Sequence, residues 1–135
     1  MMKELKNGFI QTMLGSTIWL LLLSTLFREN RELSYEYIWT IVLIGALFGL
    51  VFGIIYPYLW KYATYPAIIN IISSTLVNTV LGFLAVNLYD KTMFNLIIPY
   101  WWCALILTVI IHSICFYFYT NYQNKQLEKE LNSLI

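Results

Sequence analysis

Four stretches of this chain run for 20 to 24 residues without a single Asp, Glu, Lys or Arg: 8–27, 37–60, 66–89 and 96–119. A helix needs about 20 residues to cross a hydrocarbon core about 30 Å thick. Within lipid the backbone polar groups must pair inside the segment, so such runs fold as helices. A membrane β-barrel would show alternating segments of about ten residues instead, and the chain has no such alternation. The reading is an all-α integral membrane protein: four antiparallel transmembrane helices in a single domain, 1–135, with a short amphipathic C-terminal helix over 123–135. Composition excludes the main competitors. With 60% hydrophobic and 11% charged residues, the chain lies far from a soluble globular enzyme. A net charge of +1 gives no basic surface for direct nucleic-acid binding.

Charges collect in the gaps 28–36, 61–65 and 90–95 and at the two ends. The gaps are short, which makes neighbouring helices antiparallel and leaves no extramembrane domain. The first run has too long an apolar core for a cleavable signal peptide. Four spans put both termini on one side. That face carries Lys3, Lys6, Lys61, Lys125 and Lys129, against Arg28, Arg31 and Lys91 on the other. The positive-inside rule leans toward cytoplasmic termini in a bacterial plasma membrane, surrounded by membrane lipid; so small a bias leaves dual topology open.

Aromatic residues mark the span ends. Tyr35, Tyr37 and Trp39 open the second span, and Tyr56, Tyr58, Trp60, Tyr62 and Tyr65 close it. Tyr100, Trp101 and Trp102 open the fourth; Tyr117, Tyr119 and Tyr122 close it. They read as interfacial belts. Gly45, Gly49 and Gly53 recur every four residues on the second span, a face on which another backbone can approach closely. The partner is either a span of the same chain or a second copy in a homodimer, with the intrachain reading ahead.

The third span is the most polar. Asn70, Ser74 and Asn78 share one face at i, i+4, i+8, which should turn inward because an amide facing lipid loses its hydrogen bonds. Interhelical bonding is the simpler reading; a polar groove for a ligand or peptide is the functional one. Gln11, Thr12, Ser16 and Thr17 of the first span are candidate partners. His112, the one histidine, is a functional candidate because ionisable groups inside a membrane are costly. One histidine makes no metal site, so no metal and no cofactor is expected. A neutral His112 bonded to a hydroxyl or amide is preferred over a pH sensor. Cys103 and Cys115 lie about 18 Å apart on one helix and cannot bridge.

In the tail, Leu127, Leu131 and Leu134 recur at i, i+4, i+7 among Lys125, Glu128, Lys129 and Glu130. That pattern reads as an amphipathic helix, resting on headgroups or docking a cytoplasmic protein. No H-E-x-x-H, G-x-S-x-G or Ser/His/Asp set is present, so the chain does not read as an enzyme. Small multidrug exporters have its size, but they carry a membrane Glu in the first helix, where this chain has only Gln11.

The stretch 45–49 on the second helix, the link at Trp60 and Lys61, the polar third helix and the tyrosine-rich fourth with its Lys/Glu tail resemble one family. These are small four-helix bacterial membrane proteins encoded beside LytTR-type transcription regulators, similar in layout to the membrane inhibitors of LytTR regulatory systems. Near the start of the third helix, where the family carries a histidine, this chain has Asn70. The resemblance implies a membrane protein that sequesters a cytoplasmic LytTR-type DNA-binding regulator. The implied contact face is Lys3, Glu4, Lys6, Lys61, Tyr62 and 126–134, including Leu127, Lys129 and Leu131. The alternatives are a small multi-pass transporter using the third span and His112, and a peptide-immunity or sensing protein using the face at 28–36 and the polar third span.

Overall fold

The computed structural model describes residues 1–27 and 34–133. Arg28 and Arg31 in the first gap, and Leu134 in the tail, lie outside the described residues. Among the described residues every element is helical. Helix α1 is Met2–Phe27, α2 runs over Tyr35–Tyr62, α3 is Ala67–Tyr89, α4 is Lys91–Ile97 and α5 is Trp101–Asn132. Among the described residues, four helical stretches are long and apolar enough to cross a membrane: Met2–Leu26, Tyr35–Tyr62, Ala67–Tyr89 and Lys91–Asn132.

Local signals account for the boundaries. Ser34 caps α2, its hydroxyl accepting from the Tyr37 N–H at 3.3 Å, as an N-cap serine does. Pro66 precedes α3 in an extended conformation and cannot continue the helix before it. The 90–95 gap is not a loop. Asp90 caps a new helix there, its carboxylate accepting from the N–H groups of Thr92 at 2.7 Å and Met93 at 3.1 Å. A 3₁₀ turn at Ile98–Tyr100, centred on Pro99, separates α4 from α5; proline lacks the donor an unbroken α-helix would need. The 123–132 stretch continues α5 without interruption.

Helix α2 departs from α geometry. It is α-helical to Phe48, then widens into π turns over Gly49–Ile55 and again over Tyr58–Tyr62. Pro57, between the two wide stretches, donates no backbone hydrogen bond, which loosens the ladder around it. The sequence period explains what the widening achieves. Both Gly45/Gly49/Gly53 and Phe48/Phe52/Tyr56/Trp60 repeat every four residues. At 3.6 residues per turn a four-residue step drifts by about 40°. Wider i→i+5 turns take up that drift, so the glycines stay on one face and the aromatic rings on another.

The glycine face packs against α1. A Cβ on Gly53 would lie 2.6 Å from the Gly8 carbonyl and the Phe9 Cα, and one on Gly49 would meet Met13 and the Phe9 carbonyl at 3.0 Å. One on Gly45 would overlap the Thr17 hydroxyl. The partner of this face is thus a span of the same chain. Gly8, on the α1 side, would itself put a Cβ 2.8 Å from the Gly53 carbonyl. The pair is fastened at its ends. The hydroxyls of Ser24 and Tyr37 meet at 2.7 Å, and Lys61 reaches Glu4 at 3.1 Å, with Tyr62 donating to the same carboxylate.

Helix α3 packs on both α2 and α5. The buried core is small: Ile41, Ile44 and Val51 on α2, Ser74, Thr75 and Ala85 on α3, and His112 and Phe116 on α5. Most large apolar side chains point outward, among them Leu14, Ile18, Trp19, Ile106, Ile110 and Phe118.

Candidate functional site

Polar side chains from α2, α3 and α5 converge at one level. The aromatic face of α2 brings Tyr56 and Trp60 there, stacked with ring centres 5.4 Å apart and planes 14° from parallel. Trp60 Nε1 donates to Ser74 Oγ at 2.8 Å, and Ser74 Oγ donates to the Asn70 carbonyl at 2.7 Å. On the other side His112 is hydrogen-bonded to the Tyr56 hydroxyl through Nε2. Its Nδ1 lies 2.7 Å from the Thr108 carbonyl. A carbonyl only accepts, so Nδ1 carries a proton; with the ring neutral, Nε2 is the acceptor for the Tyr56 hydroxyl. Both ring nitrogens are therefore engaged, and His112 is 6% exposed. Rings close the cluster: Trp60 meets His112 at 6.4 Å and Phe116 at 5.4 Å edge-on, and Tyr119 at 5.5 Å with the planes tilted by 56°.

A cleft opens beside this cluster. It encloses about 380 Å³ and is lined by Phe52, Tyr56, Trp60, Asn78, Ile111, His112 and Cys115. Asn78 also lines a smaller cavity of about 240 Å³ with Thr79, Gly82 and Thr108. No Asp, Glu, Lys or Arg lines either space. Among the described residues, three buried polar atoms have no hydrogen-bond partner: Asn70 Oδ1, Thr75 Oγ1 and Thr79 Oγ1. Asn70 uses its amide nitrogen on the Tyr65 carbonyl at 3.5 Å. No hydrogen bond to the Asn78 side chain is found among the described residues. Unsatisfied polar groups away from water are uncommon and call for a physical reason.

No family model, curated protein or solved structure matches the chain.

The candidate residues fall into separate places. Asn70, Ser74 and His112 join the cluster, and Asn78 faces the cleft. Gly45, Gly49 and Gly53 pack on α1 and stand apart from it. Of the contact-face residues, Lys3 and Lys6 are exposed on the first turns of α1, near the Glu4–Lys61–Tyr62 group. Leu127, Lys129 and Leu131 are exposed on the last turns of α5. Among the described residues no hydrogen bond or ion pair joins these two groups. No group of three or more His, Cys, Asp or Glu side chains that could hold a metal ion occurs among the described residues.

Tyr56 and Trp60 belong to the site although their position near a span end marked them only as belt residues. The signal that distinguishes them is the four-residue ring period from Phe48 to Trp60. Gly8 carried none, since a single glycine at the start of an apolar run has no pattern around it.

Proposed function

We propose that the chain is a multi-pass membrane protein of a bacterial plasma membrane that holds a cytoplasmic LytTR-type transcription regulator inactive at the membrane. In this reading the four apolar helices alternate in direction and both termini face the cytoplasm. The outward-facing Leu, Ile, Phe and Trp side chains support immersion in lipid, since so large an apolar surface would drive association in water.

The observation that carries the docking proposal is the length of α5. Its 32 residues rise about 48 Å, against about 30 Å for the hydrocarbon core. The apolar composition ends near Tyr122, so the last turns stand clear of the bundle. There Leu127 and Leu131 are 54% and 63% exposed, one helical turn apart, with Lys125, Glu128, Lys129 and Glu130 around them. Two leucines on a charged helix form a small apolar anchor for a groove on a partner. Lys3, Lys6, Lys61 and Tyr62 extend the same face. The protein acts by sequestration, not catalysis, and release follows a change in how α5 sits on α3 and α2.

The direct test is Leu127→Asp combined with Leu131→Asp. The double variant is expected to accumulate in membranes at the normal level while regulator-driven transcription rises. Transcription that stays low with the variant present in membranes would show that the tail is not the dock. A second reading, a small-solute carrier or peptide sensor, draws on the unpartnered Asn78 amide in the cleft. Asn78→Leu with His112→Leu separates the two readings: solute uptake or peptide response falls, while regulator retention persists.

A further inference from the structure

We propose that the cleft between α2, α3 and α5 binds a small neutral molecule bearing an amide group, with Asn78 as its hydrogen-bonding partner. The site does not depend on the docking role of the tail.

The charge of the ligand follows from the lining. No carboxylate, ammonium or guanidinium faces the cleft, and the His112 imidazole there has both nitrogens engaged. An ion placed in this space would lose its hydration with nothing to replace it. The polar chemistry follows from Asn78, whose carboxamide offers two N–H donors and one carbonyl acceptor. Trp60, Ser74 and the Tyr56–His112 pair are bonded to each other or to backbone carbonyls, which leaves Asn78 as the free partner. A lipid chain filling the cleft would satisfy neither its donors nor its acceptor. An amide in the ligand satisfies both at once, through two reciprocal N–H···O bonds. The apolar remainder of the ligand follows from the walls: the Phe52 ring meets Tyr56 edge-on at 5.1 Å, and Tyr56 stacks on Trp60. Such walls favour a ring in offset or edge contact. The volume of about 380 Å³ lies at the lower end of ligand pockets, which suits one capped amino acid and not a folded peptide.

The test uses the two free cysteines, Cys103 and Cys115, both exposed. Cys115 lines the cleft and Cys103 does not. The full chain in nanodiscs is treated with a small methanethiosulfonate, and modification of each cysteine is followed by mass spectrometry. N-acetyl-phenylalaninamide is the probe and ethylbenzene the amide-free control. The expected result is a saturable, several-fold slowing at Cys115, no change at Cys103, and no slowing with ethylbenzene. Asn78→Leu removes the protection. Ile111→Trp, which fills the cleft from α5, removes it too and serves should Asn78→Leu fail to assemble. Absence of protection in the wild-type chain overturns the proposal. So do equal slowing at both cysteines, protection by ethylbenzene, and protection that survives in Asn78→Leu.

Discussion

Tyr56 has one hydroxyl proton and two acceptors near it, His112 Nε2 and the Ser74 carbonyl at 3.5 Å. The neutral tautomer of His112 draws that proton to Nε2 and ties α2 to α5, while Trp60 and Ser74 tie α2 to α3. Removing one member leaves its partner buried and unpaired. Tyr56→Phe is therefore expected to lower stability by about 1–3 kcal/mol, the cost of a buried group left unsatisfied. Adding His112→Leu should cost less than the sum of the two single changes, because the orphaned acceptor goes with it. Unfolding of the four proteins in one detergent, followed by circular dichroism, measures the cycle; strict additivity would mean that the bond contributes nothing. At this scale the site was partly legible. His112, Asn70, Ser74 and Asn78 are polar in apolar runs and stand out by chemistry alone. Tyr56 and Trp60 do not, because an aromatic side chain near a span end has the same pattern whether it faces headgroups or a histidine.

The helices themselves were legible because charge is excluded from each run, and that exclusion needs no knowledge of neighbours. The boundaries were less so. Asp90 looks like a linker charge, yet its carboxylate starts α4, and the cap geometry that decides between these roles is local and three-dimensional. The wide turns of α2 follow from a period of four where an α-helix has 3.6. That clue is visible only when glycines and rings are read as two parallel stripes. The glycines are not equivalent, and the difference is measurable. Gly53→Ala forces a Cβ to 2.6 Å from the backbone of Gly8 and Phe9, so overpacking of about 1–3 kcal/mol is expected. Among the described residues nothing lies within 4 Å of a Cβ at Gly15 or Gly82. There the change to alanine should be neutral or stabilising, by up to about 1 kcal/mol from helix propensity. Thermal unfolding in detergent ranks the three; Gly53→Ala as stable as wild type would contradict the close α1–α2 contact.

For the whole molecule, the apolar outside and thin core fit the proposed membrane setting, in which lipid is part of the folding environment. The contacts of Glu4 with Lys61 and of Ser24 with Tyr37 put the start of α1 at the end of α2. The proposed orientation extends that pairing to the full bundle. Single cysteines placed at Lys3, Lys61 and Lys129 in a chain lacking Cys103 and Cys115 should be labelled by an impermeant reagent only after cells are opened, and one at Lys91 in intact cells. Labelling of Lys3 and Lys129 positions from opposite sides would break the shared terminal face on which docking depends. Nothing in the sequence identifies the partner beyond the family resemblance, because two leucines on a charged helix fit many grooves. The most direct measurement is therefore co-purification from native membranes of the tagged full chain, beside the same chain ending at Tyr122. The account predicts a LytTR-type regulator recovered with the full chain and lost with the shortened one. Equal recovery with both chains, or no such regulator with either, would contradict it.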